Sequence, residues 1–155
     1  MNKAFVKDDE GAPLGEALPD REIPPHPNFV TAEGLARIDA MLGEADAAFA
    51  AAQDVDDRDA MARAAREQRY WTSRRSTAQL VEPPKDHSTV RFGARVTIER
   101  DDGRKQTFHI VGLDEADPEK GTLSYISPLA QALFGKKVGE VVNVGGHEAE
   151  VTAIA

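Results

Sequence analysis

At Pro83-Pro84 the spacing of apolar residues changes, and that change limits the chain to a fold with two kinds of layer. Upstream, Leu35, Ile38, Leu42, Ala45 and Phe49 recur at steps of three and four. Met41, Ala48 and Ala52 fall on the same arc, roughly 140° wide at about 100° per residue. Thr31 stands where an N-cap belongs, so the spacing predicts an amphipathic helix over 32–52. A second helix is predicted over 58–78. Its wheel gathers Met61, Ala64, Ala65, Gln68, Trp71 and Thr72 on one side, and Arg58, Arg63, Arg66, Arg69 and Arg74 on the other. Two helices of similar length joined by a few residues form an antiparallel hairpin zipped along the first helix's apolar stripe. Its tip is the run Asp54-Val55-Asp56-Asp57-Arg58-Asp59.

Downstream of the prolines the period is two. Ala94, Val96 and Ile98 alternate with polar residues, Asp101-Asp102-Gly103 supplies a turn, and Phe108 and Ile110 continue on the return strand. Leu123–Tyr125, Val141–Val144, the Gly145-Gly146 turn and Ala149/Val151/Ala153 follow. Ser127-Pro128 opens a short helix, serine as cap and proline in the first turn, and Gly135 closes it. The expected class is α+β: a helical hairpin, then a small antiparallel sheet packed by one helix. The expected division is a proline-rich acidic tail over 1–30, the hairpin over 31–80, a linker over 81–88 and the sheet domain over 89–155. For the tail, with Pro13, Pro19, Pro24, Pro25 and Pro27, a linker and a strap over a domain both fit.

Charge narrows the functional classes. The chain of 155 residues has a formal net charge of −8, the wrong sign for a protein that coats duplex DNA. That total hides a polarity: residues 1–57 are strongly acidic, whereas 58–75 carry six arginines against Asp59 and Glu67. No apolar run is long enough to cross a bilayer and no apolar leader core follows the N-terminus, so the expected location is the cytoplasm. There is no cysteine, which removes disulfides, thiolate metal sites and cysteine nucleophiles. His26, His87, His109 and His147 have no ligand-like spacing, and neither a nucleophile elbow nor a phosphate loop is present. The one chemical feature is the aspartate run. Hard carboxylate oxygens suit Mg²⁺, yet aspartates also cap helices and keep a tip soluble. The arginine face likewise reads either as a solvated surface or as a contact for phosphates or an acidic protein.

From about residue 89 the chain resembles the C-terminal domain of the Gre family of bacterial transcript-cleavage factors (GreA/GreB). The resemblance rests on Ser124-Tyr125-Ile126-Ser127-Pro128-Leu129-Ala130-Gln131-Ala132-Leu133-Phe134 with Gly139-Glu140, a long Ser-x-x-Ser-Pro signature. Ile110-Val111-Gly112, Asp114–Asp117 and Gly135–Gly139 add to it, and Ala78–Val81 looks like the family's junction between hairpin and globular domain. The resemblance covers roughly 31–155. It implies an FKBP-like globular domain that docks on RNA polymerase at Ile126, Ser127 and Pro128. It also implies a hairpin that enters the polymerase's secondary channel, where two tip acids help hold a Mg²⁺ of the polymerase active site. Asp54 falls on the first of those acids and Asp57 on the second. Val55 matches the motif's leucine, whereas Gln53, Arg58 and Met61 replace its glycine, asparagine and tyrosine. Ile126 stands where relatives usually carry a polar residue.

By the same resemblance the protein has no catalytic centre or cofactor of its own, apart from sharing the polymerase's Mg²⁺. It meets nucleic acid only inside the transcription complex and acts as a monomer. The basic face of Arg58, Arg63, Arg66, Arg69 and Arg74 would then meet RNA or polymerase. At about 32 Å per helix the hairpin is two to three turns shorter than in standard members, which implies binding with little cleavage. The FKBP-like fold also admits a different class, a peptidyl-prolyl isomerase.

Overall fold

The computed structural model describes residues 18–155. The part of the expected tail before Leu18 lies outside the described residues. The described chain separates into two compact units, and the division falls inside a helix. Ile38–Thr77 group with the residues up to His26, and Pro27–Arg37 group with Ala78–Ala155.

The first unit is the hairpin. Helix α1 spans Ala32–Asp54 and helix α2 spans Arg58–Thr77. At 1.5 Å per residue their 23 and 20 residues give lengths of about 35 and 30 Å. Two cross-hairpin pairs, Gln68 Nε2 to Asp46 Oδ1 at 2.8 Å and Arg75 Nε to Asp39 Oδ1 at 2.7 Å, are symmetric about Asp57. That symmetry fixes an antiparallel register. Ile38, Ala45 and Ala52 of α1 are buried, while Leu35, Met41, Leu42 and Phe49 are half-buried and Ala48 is exposed. On α2 the buried set is Ala62, Ala64, Tyr70, Trp71 and Arg74. The expected inner face of α2 is therefore rotated toward Tyr70, and Thr72 lies outside.

The second unit contains the sheet. A parallel pair, β1 (Phe29–Val30) with β2 (Gln79–Leu80), stands apart from a five-stranded sheet. The latter comprises β3 (Arg95–Arg100), β4 (Lys105–Val111), β5 (Thr122–Ser124), β6 (Val141–Val144) and β7 (His147–Ile154), ordered β5-β4-β3-β7-β6. Its α+β class is the expected one. Its strands are not all antiparallel, however: β5 runs parallel to β4. Parallel neighbours need a crossover. Here Gly112–Gly121 provides it through 3-10 turns at Leu113–Glu115 and Pro118–Lys120, the second capped by Asp117 and closed at Gly121 with φ 84°.

Alternation puts Val96, Ile98, Phe108, Ile110, Leu123, Val142, Ala149 and Val151 in one core with Ala130 and Leu133 of helix α3 (Pro128–Leu133). Ala153 breaks the expected pattern. Val151 pairs with Ile98 but Ala153 with Thr97, so Thr152 is an extra residue. This bulge reverses the facing of the strand end: Ala153 turns out and Ile154 packs toward the core.

Candidate functional site

Helix α1 ends at Asp54, and the chain turns through Val55 and Asp56, whose φ of 52° is the left-handed geometry that aspartate tolerates. Asp57 Oδ1 accepts from Ala60 N at 3.0 Å, and Asp57 O accepts from Met61 N at 2.9 Å. Asp57 is thus the N-cap of α2. Asp54 is exposed at the other side of the turn. Val55 between them is 73 % exposed, a bare apolar side chain at an acidic tip. Among the described residues no three histidines or carboxylates gather as a metal-holding group, so this run does not converge on one point.

The five arginines do not form one surface. Arg58 and Arg63 are exposed. Arg66 is half-buried, with a buried Nε that has no hydrogen-bond partner. Arg69 pairs with Asp20. Arg74 is only 1 % exposed and leaves the basic face on which the wheel set it. The reason is angular: three residues after Trp71 it lies about 60° round the helix, on the buried side.

Ser127 and Pro128 behave as their chemistry dictates. Ser127 Oγ accepts from Ala130 N at 3.2 Å, Pro128 occupies the first turn, and Gln131 Nε2 donates to Tyr125 O at 2.8 Å. Pro128 is exposed, Ser127 is half-buried, and Ile126 leans on the core. Tyr125 stacks edge-on against Phe29 and Phe92 with centroids 5.6 and 5.7 Å away, and its hydroxyl donates to Pro27 O. These aromatics are packed against one another.

One arrangement escaped the sequence reading, and another was left open there between a linker and a strap. The first is Glu115. Its carboxylate accepts from Thr31 N at 3.1 Å, Thr31 Oγ at 2.5 Å and Gly112 N at 3.1 Å, while Thr31 Oγ accepts from Gly34 N at 3.0 Å. One carboxylate thereby holds the start of α1 and the end of β4. A Cβ on Gly34 would collide with that carboxylate, and one on Gly112 with Phe29 O. The other is the segment before β1. Arg21 pairs with Glu67 at 2.7 Å and lies 3.7 Å over the Tyr70 ring, so Leu18–His26 is a strap on the hairpin rather than a loose linker. The clue was the adjacent pair Tyr70-Trp71. Neighbours on a helix point about 100° apart, so one partner helix cannot cover both.

The fold and these sites define an α+β protein that joins an acid-tipped helical hairpin to a mixed-sheet domain. Residues 85–155 match the family model described as "Transcription elongation factor, GreA/GreB, C-term". Over these residues the chain is thus similar to the C-terminal domain of GreA/GreB factors. It is 39 % identical over 84 residues to transcription elongation factor GreA of Paracoccus denitrificans, covering 51 % of this chain and 54 % of that one. It is 41 % identical over 92 residues to GreB of Neisseria meningitidis serogroup B, covering 56 % of each. The chain thus spans about half the length of the curated relatives it matches. Among solved structures, GreA factor homolog 1 (Gfh1) of Thermus thermophilus aligns with 84 % of this chain and 99 % of its own. It does so at 21 % identity and a TM-score of 0.41.

Proposed function

We propose that this protein is an RNA-polymerase-binding regulator of transcription elongation in the bacterial cytoplasm, acting through the polymerase's secondary channel as an accessory factor. The observation that carries the reading is the GreA/GreB C-terminal domain over residues 85–155, matched by relatives named transcription elongation factors. In this reading the exposed Pro128 end of α3, with Ser127 and Ile126, meets the polymerase, and the Asp54–Asp57 turn is the part that enters the channel. Of those five arginines, only Arg58 and Arg63 are exposed and outside the ion pairs of the described residues, so they are the cations offered to polymerase or RNA. No described helix is long and apolar enough to cross a membrane.

The protein binds without accelerating transcript cleavage. Its helices reach only about 30–35 Å, whereas a carboxylate must come within 2.0–2.1 Å of Mg²⁺ to coordinate it. Asp57 already has an oxygen committed to Ala60 N. One observation favours a second reading, that of a true cleavage factor: Asp54 and Asp57 keep the three-residue spacing on either side of the turn. The test is a stalled, backtracked polymerase complex given wild type, Asp54→Asn/Asp57→Asn, or a GreA control. Wild type is expected to displace GreA and suppress its cleavage, and the double variant to do the same. Robust cleavage by wild type that disappears in the double variant would establish the second reading. Failure of wild type to displace GreA would reject the channel assignment.

A further inference from the structure

On α2 the adjacent aromatics Tyr70 and Trp71 meet edge-on, their centroids 4.9 Å apart and their planes at 90°. Both are almost fully buried. What covers them includes a cation from the strap. The Arg21 guanidinium lies 3.7 Å from the Tyr70 ring centroid and 5.6 Å from that of Trp71. The same guanidinium donates from Nη1 to Glu67 Oε1 at 2.7 Å. Next to it Asp20 accepts from Arg69 Nε. A flat cation held between an aromatic face and a carboxylate has both halves of an arginine-recognition site: ring quadrupole and hydrogen-bonded countercharge. Lysine would keep the charge but lose the planar stacking.

We infer that Glu67, Tyr70 and Trp71 form an arginine-binding site on the hairpin, filled in cis by Arg21 and open in trans to a partner's arginine when the strap detaches. Asp20 and Arg69 set its polarity, so the matching trans ligand is a protein segment with an acidic residue immediately before an arginine. The strap is built to exchange. Side chains in its two ion pairs keep between 35 and 68 % of their exposure, which leaves both pairs open to solvent and to screening by salt. A tethered arginine acts at an effective concentration on the order of millimolar, which sets the level a competitor must reach. This inference does not depend on polymerase binding.

Trp71 is the chain's only tryptophan, so its emission reports the site directly. The experiment compares full-length wild type with Arg21→Ala, each titrated with a synthetic peptide of residues 18–26. Two further peptides carry lysine or alanine in place of the arginine. Arg21→Ala should emit several nanometres to the red of wild type. Millimolar arginine peptide should restore the wild-type spectrum, the lysine peptide should need at least about tenfold more, and the alanine peptide should do nothing. Wild type, whose site already holds Arg21, should keep its emission with all three peptides. Identical spectra for wild type and Arg21→Ala would overturn the inference, as would equal action of the arginine and alanine peptides. Hydrogen exchange over 38–77 should stay protected in Arg21→Ala. Its loss would make Arg21 a structural strut and overturn exchangeability.

Discussion

Glu115 shows how much one partly buried carboxylate can hold. It terminates three donors from Thr31 and Gly112, and two of them are backbone N–H groups left without a partner if it goes. Orphaned donors of this kind cost about 1–3 kcal/mol each. Glu115→Ala is therefore expected to destabilise the sheet unit by about 2–4 kcal/mol in denaturant titration, with hydrogen-exchange protection lost first at the start of α1. His109 supplies a second residue-scale prediction. Burial foremost, and then the neighbouring Arg95, hold its pKa below the ordinary 6.5, against a Gly93 backbone hydrogen bond and the charges of Glu115 and Glu33. A histidine with a lowered native pKa binds its proton more readily unfolded. Its contribution is intact above about pH 6.5 and is lost as pH falls through the lowered native value. Melting temperature should fall on acidification through that window, and His109→Gln should flatten the decline. An unchanged slope would remove His109 as the cause.

At the scale of elements, the turn between the helices separates two aspartates that look equivalent in sequence. Asp57 caps α2 through Ala60 N, whereas Asp54 closes α1, where the helix dipole disfavours an anion. Asp57→Ala should cost about 0.5–2 kcal/mol of hairpin stability, and Asp54→Ala should be neutral or slightly stabilising. Thermal melts followed by circular dichroism decide this, and equal losses would contradict it. Element types were legible because each has a local cause. The Leu35–Phe49 spacing, the Ser127-Pro128 cap and the Asp101–Gly103 turn act within a few residues, and all three appear where expected. The facing of Ala153 and the burial of Arg74 were not legible. The first depends on a bulge against β3, and the second on how far α2 rotates toward its partner.

For the whole molecule, the proposed docking at Ser127 and Pro128 can be separated from stability. Pro128 is exposed, and losing the Ser127 cap removes one hydrogen bond from a six-residue helix. Ser127→Ala/Pro128→Ala should keep a near-native far-ultraviolet spectrum but bind polymerase at least about tenfold more weakly, a change of 1.4 kcal/mol. Undiminished binding by the folded variant would move the polymerase contact elsewhere. The negative total charge is no obstacle to such a partner. Charge is distributed unevenly, and in the hairpin and its strap acids and arginines neutralise one another at Asp39–Arg75, Asp20–Arg69 and Arg21–Glu67.

By itself the sequence determined the order and kind of elements, the place of the tip acids and the Ser-Pro signature. Those follow from backbone preferences, caps and apolar period, which operate over one or two turns of chain. Only the tertiary structure decided that β5 runs parallel to β4, that Glu115 holds Thr31, and that Arg21 closes over Tyr70 and Trp71. Those contacts join residues 49 to 84 positions apart, or a strand to one reached through a crossover. Their energies come from burial and partnered charge at meeting points that a local pattern does not encode.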